Sequence, residues 1–257
     1  MTHRVPPTPS NPATPRAPRP PLANRILRAL PPEELSAVKP HLSPVVFQFD
    51  QVVYGYGDRI ATVYFPETFV ASATLTMEDG RTVEVGTFGN ESAVGLSAWM
   101  GMATSPTTVI SQIPGKGEAM PLEALTREAA ALPQFGALLH RAVQANATQT
   151  MHSAACNGLH SIEERLARWL LMTYDRVQAD NMPLTQQFLA YMLGVYRPSV
   201  TIVARTLQNA GLIRYERGSV TIIDREGLEA AACECYRANK AVTDALIPAA
   251  PEPSITR

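Results

Sequence analysis

Four arginines lie near the C-terminal end of the chain with a single acidic residue among them. Between positions 183 and 223 they are Arg197, Arg205, Arg214 and Arg217, and the acid is Glu216. The whole chain is nearly neutral, with 22 Lys and Arg against 23 Asp and Glu. Guanidinium groups bind phosphate oxygens and the guanine edge in the major groove of DNA. The cluster therefore predicts nucleic-acid binding by this segment, which the net charge conceals.

Two helices joined by a tight turn are predicted to position these arginines. The first begins at Leu184-Thr185, and Gly194 stands where the chain must turn sharply. Pro198 falls at the start of the second helix, where its missing N–H is no loss. The second helix has an apolar face made of Val200, Val203, Ala204 and Leu207. Its opposite face carries Ser199, Ile202, Arg205 and Asn209. This arrangement is typical of a helix-turn-helix, whose second helix enters the major groove.

The segment LIRYERGSVTIID predicts two short strands around Arg217-Gly218. A strand pair directly after a helix-turn-helix makes a winged helix, and a helix over REGLEAAACECYRAN is predicted to close it. Without the strands, the alternative is a helical hairpin with a solvated basic face. The strand pair favours DNA binding.

The first half of the chain is predicted to be rich in β-structure. From Val45 it consists of the short runs VVFQF, QVVY, ATVYF, FVASATLTM, RTVEVGTF and TTVISQI. Asp79-Gly80 predicts a hairpin, because both central turn residues can adopt positive φ. Several short strands at this spacing indicate an antiparallel sandwich or barrel. Two short helices are predicted before it, within NRILRALPPEELSAVKPHL.

The segment FGALLHRAVQANATQTMHSAACNGLH predicts a helix of more than five turns. Its apolar positions approximate one stripe: Leu138, Leu139, Val143, Ala147, Met151 and Ala155. Such a helix is too long to be covered by its own small domain. We therefore expect a partner helix, most simply the symmetry mate in a homodimer.

The next helix, SIEERLARWLLMTYDRV, begins with a capping box formed by Ser161 and Glu164. Ile162, Leu166, Trp169 and Leu170 are predicted to form its buried face. Glu163 and Glu164 are adjacent and therefore diverge, so a solvated face paired with Arg165 and Arg168 is predicted rather than a catalytic carboxylate pair.

Three cysteines, Cys156, Cys233 and Cys235, lack the spacing of a disulfide framework and suit a reducing compartment. His152, Cys156 and His160 share one helical stripe, and N and S ligands at that spacing suit zinc or another transition metal. The favoured interpretation is a small buried Cys156 at the dimer seam with the histidines at its ends. Cys233 and Cys235 point to different faces of a predicted helix. No metal and no cofactor is therefore predicted.

From Asn24 to about Ala238 the chain resembles the Crp/Fnr transcription regulators, and LTQQFLAYMLGVYRPSVTIVARTLQNAGLI is the most specific part of the match. The resemblance implies an α+β fold with an N-terminal double-stranded β-helix (a β-roll of the cyclic-nucleotide-binding kind), a long dimerisation helix and a C-terminal winged helix-turn-helix. The predicted domains are a disordered arm at 1–23, the β-roll at 24–131, the dimerisation helix and hinge at 132–172, the winged helix at 176–236 and a flexible tail at 239–257.

The resemblance also implies which residues meet a two-fold symmetric DNA operator. Arg197, Ser199 and Ile202 are expected at the base edges. The phosphate contacts are expected from Thr185, Gln186, Gln187, Tyr196, Arg205 and Arg217. Pro198 and Ile202 replace charged base-reading residues of the cyclic-AMP receptor, so a different operator is expected. The resemblance implies RNA polymerase as a further partner.

A small-molecule effector of unknown identity is expected in the β-roll, at Gly89, Glu91, Ser92, Thr107 and Thr108. The family's cyclic-nucleotide pocket uses an arginine that neutralises the phosphate, and the segment SPTT at 105–108 has none. Loss of cyclic-nucleotide binding is therefore predicted. No N-terminal cysteine set for an iron–sulfur cluster is present in the sequence, whereas haem sensing through a histidine is left open.

The remaining features narrow the class of protein. The proline-rich first 21 residues predict a solvated arm rather than a binding motif, and they lack the apolar core of a secretory signal. No run approaches the roughly 20 apolar residues of a membrane-spanning helix, so a cytoplasmic protein without a membrane partner is predicted. No Gly-rich phosphate loop or catalytic triad pattern appears, so the chain is predicted not to be an enzyme. Two alternatives stay open: a ligand-sensing or protein-interaction module with a degenerate winged helix, and a cyclic-nucleotide receptor with an unconventional pocket.

Overall fold

The computed structural model describes residues 23–177 and 181–247, so the predicted arm, except residue 23, lies outside the described residues. The helices of the first half are α1 (Arg25–Arg28), α2 (Pro32–Val38), α3 (Leu96–Trp99), α4 (Leu122–Ala131) and α5 (Pro133–Leu159). Those of the second half are α6 (Ile162–Val177), α7 (Gln186–Leu193), α8 (Arg197–Asn209), α9 (Arg225–Ala231) and α10 (Cys235–Leu246). None of the described helices is long and apolar enough to cross a membrane.

The strands form three antiparallel sheets. The first half contains β1 (Ser43–Phe47), β2 (Val52–Tyr54), β3 (Thr62–Pro66), β4 (Val70–Thr76), β5 (Thr82–Phe88), β6 (Thr108–Ile113) and β7 (Gly115–Pro121). They pair in the orders β1-β7-β3 and β2-β6-β4-β5. Side chains from both sheets, among them Phe47, Tyr64 and Val109, fill the space between them. The second half contains β8 (Asn181–Met182), β9 (Ile213–Glu216) and β10 (Ser219–Ile222), in the order β8-β10-β9. The predicted α+β fold is confirmed.

The strand β7 is one of the elements that the sequence analysis missed, along with the short α3 and β8. Its sequence, GKGEAMP, has two glycines and two charged residues and does not resemble a central strand. Yet β7 lies between β1 and β3. A Cβ on Gly115 would lie 2.5 Å from the backbone nitrogen of Phe69, and one on Gly117 would lie 2.6 Å from the carbonyl oxygen of Phe65. The glycines therefore allow neighbouring backbone to approach this strand closely.

The hairpin between β4 and β5 is present as predicted, but its turn differs. Only Gly80 has positive φ (82°), so Asp79 does not adopt the left-handed conformation that the sequence suggested. The amide of Met77 donates to the carbonyl of Arg81 at 2.8 Å, which closes a three-residue loop. A three-residue hairpin loop needs left-handed geometry only at its last residue, and glycine supplies it.

The capping box at the start of α6 is confirmed. The amide of Ser161 donates to the Glu164 carboxylate at 2.8 Å, and the amide of Glu164 donates to the Ser161 hydroxyl at 3.3 Å. The predicted solvated arginine face is wrong, because Arg165 and Arg168 are both buried. Arg165 donates to the carbonyl of Leu193, so the helix buries its basic side against α7.

The C-terminal region departs most from the sequence analysis. REGLEAAACECYRAN is two helices rather than one, because Ala232 has extended backbone between α9 and α10 (φ −81°, ψ 151°). The tail predicted to be flexible from 239 is wrong as far as 247, since α10 continues to Leu246 and Ile247 is buried. Arg25 in α1 pairs with Asp244 at 2.8 Å and also donates to the carbonyl of Ile247, which fixes α10 to the N-terminal helix. Residues 248–257 of that predicted tail lie outside the described residues.

Candidate nucleic-acid interface

The helix-turn-helix is built from α7, a short turn and α8. The Thr185 hydroxyl accepts a hydrogen bond from the Phe188 amide at 3.1 Å and caps the start of α7. Gly194 ends α7 with φ 62°, the left-handed conformation that glycine adopts without strain. Pro198 lies in the first turn of α8, one residue after its start. The helix cap, the left-handed glycine and the early proline allow the chain to pass from α7 to α8 within three residues. The start of α8 is thereby exposed.

The predicted burial pattern of α8 is confirmed. Val200, Ala204 and Leu207 are buried in the core that α6 and α7 share, and Val203 packs against it. Arg197 and Arg205 are exposed, and the Ile202 side chain is 68% exposed. An apolar residue with that exposure, one turn beyond Arg197 on a helix with a packed opposite face, is available to a partner.

The strands β9 and β10 form the predicted wing. Their turn has positive φ at both Arg217 (50°) and Gly218 (79°), the geometry of the two-residue hairpin whose twist matches the strands. The Tyr215 hydroxyl donates to the carbonyl of Leu184 at 2.9 Å, so the wing is fixed to the start of α7. Burial raises the pKa of Tyr215 to about 12, and its hydroxyl therefore stays a donor.

The predicted contact residues differ in what their side chains do. Arg197, Arg205, Arg217, Gln187 and Tyr196 are exposed. Ser199 is half-buried. The Thr185 hydroxyl is occupied as a helix cap, and Gln186 accepts a hydrogen bond from the Thr201 hydroxyl at 2.7 Å. The side chains of Thr185, which is also exposed, and Gln186 are thus engaged in hydrogen bonds within the fold, whereas the other exposed side chains are more available to DNA.

The turn between β4 and β5 lies beside the start of α8. A pocket of about 590 Å³ separates the two, and its lining includes Arg81, Tyr196 and Arg197. At the edge of this pocket a Cβ on Gly194 would lie 2.9 Å from Val83. The start of α8 therefore faces the β-roll across this pocket.

The β-roll holds a largely apolar pocket of about 470 Å³ against α5. Its walls come from β4, β5, β6, the segment around α3 and one face of α5, and they include Tyr54, Val85, Phe88, Met100 and Val143. No cationic side chain is among the described residues that line it.

Of the predicted effector residues, only Thr107 lines this pocket. Glu91 is instead buried in an ion pair with Arg176 of α6, at 2.7 Å. A Cβ on Gly89 would lie 2.6 Å from the Arg176 side chain, so glycine leaves room for this pair. Ser92 hydrogen-bonds Asn146 of α5 at 3.1 Å. The Gly-Glu turn is therefore a structural junction between the β-roll and α6, and Arg176 is a residue whose role the sequence did not signal.

The predicted arrangement of the cysteines is wrong. Cys156 is buried by its own chain rather than by a dimer seam, with its Sγ 3.5 Å from that of Cys233. Cys233 lies in the break before α10, so Cys233 and Cys235 do not diverge along one helix. Together with His160 they offer ligand atoms that lie within 4.8 Å of one another. Among the described residues these four could hold a metal ion.

Comparison with known proteins supports the interpretation of the second half of the chain. Residues 164–231 match the family of Crp-like helix-turn-helix domains, a segment that begins within α6 and ends with α9. A search of curated proteins finds no significant match.

Solved structures share the whole architecture at low identity. FixK2 from Bradyrhizobium japonicum is 17% identical, with a TM-score of 0.65 over 75% of this chain and 98% of that one. A CRP-family transcriptional regulator from Thermus thermophilus is 20% identical, with a TM-score of 0.61 over 73% and 95%. The c-di-GMP responsive global regulator CLP of Xanthomonas campestris is 18% identical, with a TM-score of 0.61 over 74% and 98%.

The second half of the chain therefore contains a Crp-like helix-turn-helix domain with a wing. Together with the β-roll and the long helix before it, this domain gives the chain the fold of solved regulators of the Crp/Fnr type.

Proposed function

We propose that the chain binds a two-fold symmetric DNA operator as a homodimer, with Arg197 reading a base in each half-site. The observation that carries this proposal is the exposed Arg197 at the start of α8, on a helix whose other face is packed. An arginine at this place can reach guanine O6 and N7 bidentately. Arg205 and Arg217, both exposed, are proposed to bind phosphates on either side of it.

The second half of α5 supports a dimer. Its first half is buried by the β-roll, but Met151 is 59% exposed and Leu159 is 82% exposed. Ala147 and Ala155 are exposed beside Met151, which makes a face of small and apolar residues. A second copy of α5 would bury this face by two-fold packing. Two α8 helices could then enter successive major grooves about 10 bp apart, or a multiple of that distance.

Selection of random duplex DNA by the purified protein, near 0.15 M salt and without added effector, tests this proposal. Salt is fixed because it sets the apparent affinity. We expect enrichment of a two-fold symmetric motif. Enrichment of a motif without symmetry would contradict the dimer. Recovery of no motif, with and without extracts of small metabolites, would contradict DNA reading and favour the alternative of an interaction module.

We propose that the apolar pocket of the β-roll is the sensor site and that its ligand is uncharged. The absence of a cationic side chain among the described lining residues supports this, because a buried phosphate without a cation is costly. Titration with cyclic AMP and cyclic GMP in a calorimeter, supported by an independent binding assay, is expected to give no saturable binding. Saturable binding would instead favour the receptor with an unconventional pocket.

The strand β5 is proposed to transmit ligand binding in this pocket to the DNA-binding domain. Val85 and Phe88 line the pocket, and the Glu84 carboxylate between them and the turn accepts a hydrogen bond from Trp169 of α6 at 2.9 Å. Val83 packs at Gly194, where α7 turns into α8. A ligand that shifts β5 would thereby move the start of α8, provided that it favours one of two arrangements. RNA polymerase as a partner and the lack of catalysis stay predictions.

A further inference from the structure

Four side chains with metal-binding atoms meet where α5 ends and where α9 is joined to α10. They are Cys156, His160, Cys233 and Cys235, called here the cysteine–histidine cluster. The three cysteines are buried, and His160 is partly buried. Three soft sulfur ligands and one imidazole are the donor set of structural zinc sites.

The distances within the cluster suit one metal ion. The Sγ atoms of Cys156 and Cys233 are 3.5 Å apart, and Cys235 Sγ is 3.8 Å from His160 Nδ1. Around a tetrahedral zinc, with Zn–S about 2.3 Å and Zn–N about 2.0 Å, neighbouring ligand atoms are separated by about 3.5 to 3.8 Å. A disulfide would require its two sulfurs to be about 2.05 Å apart. An iron–sulfur cluster would place its ligands on different irons and therefore farther apart.

The imidazole of His160 is already oriented for coordination. Its Nδ1 faces Cys235, while its Nε2 lies 3.3 Å from the Glu234 carboxylate. A histidine that binds a metal through one nitrogen almost always donates its other N–H to a carboxylate, a carbonyl or water. Glu234 stands in the sequence between two of the cysteines and can fill this role.

Two buried arginines contribute positive charge near the cluster. Arg165 and Arg168 are buried, and the Nε of each has no hydrogen-bond partner. No ion pair joins either guanidinium to a carboxylate within the described ranges. Zn²⁺ with three thiolates and one neutral imidazole has a net charge of −1, so it would offset part of the buried positive charge of these arginines.

We propose that Cys156, His160, Cys233 and Cys235 bind one Zn²⁺ in a closed, structural site. On binding, each thiol releases its proton to solvent and forms a Zn–S bond, and no electron is transferred. All four coordination positions come from the protein, so the ion has no position for a substrate. The matched Crp-like domain, residues 164–231, lies between the two pairs of ligands. The ion therefore joins the two ends of the DNA-binding domain to each other and to the end of α5.

The first test is the metal content of the full chain, purified with a reductant and without chelators. We expect about one zinc per chain, and loss of most of it in Cys233→Ser and in Cys235→Ser. His152→Gln is the matched control, because His152 lies one turn before Cys156 on α5 but hydrogen-bonds Asn239. It is expected to keep its zinc. Glu234→Gln should bind zinc about tenfold more weakly, measured by competition with a chromogenic chelator.

A second test does not depend on the folding of the cysteine variants. The wild-type chain, freed of metal with a chelator, is titrated with Co²⁺. We expect intense visible bands of a tetrahedral cobalt thiolate that saturate at about one equivalent and disappear when Zn²⁺ is added. A protein that holds no zinc and gives no such bands overturns the proposal. So does a Cys156–Cys233 disulfide found after thiols are blocked within the cells.

Discussion

At the scale of single residues, Arg197 is the residue proposed to read a base of the operator. We expect Arg197→Ala to weaken operator binding by about 1 to 3 kcal/mol and to relax the preference at one position of each half-site. The reason is the loss of a bidentate contact to guanine. Quantitative binding to the selected operator and to single-base variants would measure both effects. Arg127→Ala, at an exposed arginine of α4, is the control and should change neither.

A uniform loss of affinity across all sequences in Arg197→Ala would contradict base reading. It would show that Arg197 contacts only phosphates, in which case the slope of affinity against salt concentration should fall instead. Base reading and phosphate contact therefore predict different results for the same Arg197→Ala variant.

The second residue whose type is dictated by the fold is Gly194. Its φ of 62° is left-handed, and a Cβ there would lie 2.9 Å from Val83. We expect Gly194→Ala to lower the free energy of unfolding by about 1 to 3 kcal/mol, because it adds backbone strain and a steric contact. Urea denaturation would measure this. Gly158→Ala is the control, since no atom lies within 4 Å of its added Cβ and its φ is ordinary. Equal stability of Gly194→Ala and the wild type would contradict the described turn.

The sequence was sufficient to predict the roles of residues that depend on other residues nearby in the chain. The helix-turn-helix, the capping box of Ser161 and Glu164 and the wing were found because their signals lie within a few positions of each other. The cysteine–histidine cluster was not, since Cys156 and Cys233 are 77 positions apart and each alone resembles a small buried residue. The same reason hid the partnership of Glu91 with Arg176.

At the scale of elements, the second half of α5 is expected to hold the dimer together. Met151→Glu would place a charge in the centre of the buried face of two α5 helices, where desolvation is costly. We expect it to shift the protein from dimer to monomer in sedimentation experiments at micromolar concentration. Ala130→Glu adds the same charge at an exposed position of α4 and should leave the dimer intact. A dimer that survives Met151→Glu would place the interface elsewhere.

The contact between β5 and α6 is the second element-scale feature that can be tested. Trp169→Phe removes the donor that serves the Glu84 carboxylate at 2.9 Å. We expect a loss of about 1 to 3 kcal/mol in the free energy of unfolding at a pH where Glu84 is ionised, as for a hydrogen bond to a charged group. Trp99→Phe, with an equal change of ring outside this contact, is the control.

The pH dependence of that loss has a definite sign. Burial raises the pKa of Glu84 above its ordinary value, whereas hydrogen bonds from Ser72, Thr87 and Trp169 lower it. The indole thus stabilises the ionised carboxylate, which is present above the folded pKa. The penalty of Trp169→Phe should therefore be full above the folded pKa of Glu84 and shrink as the pH falls through that pKa. A penalty that grows towards acid would contradict this role.

Elements were predicted well where hydrophobic periodicity controls them and poorly where tertiary contact does. The long helix, the six β-rich runs and the capping box of α6 follow from local pattern. The strand β7 does not, because its glycines serve the approach of neighbouring backbone rather than a β-preference. The end of α10 is likewise held by Arg25, from the opposite end of the chain.

At the scale of the whole molecule, the proposed zinc ion has a testable mechanical consequence. It would connect the end of α5 with the junction of α9 and α10, and so close the loop that contains the DNA-binding domain. Closing a long loop reduces the freedom of the unfolded chain, and the binding energy of a structural zinc adds to folding stability. The β-roll, which contributes no ligand, does not share this connection.

Removal of the metal with a chelator is therefore expected to act unevenly. Amide hydrogen exchange should rise many-fold in α9, α10 and the last turns of α5, and change little in β1 to β7, because only the former lose a connection. Binding to the selected operator should weaken in the same sample and recover when Zn²⁺ is returned. Cys235→Ser should show the same pattern without chelator, whereas His152→Gln with zinc retained should match the wild type. Uniform exchange across the β-roll and the DNA-binding domain would mean that the four ligands do not connect these two ends.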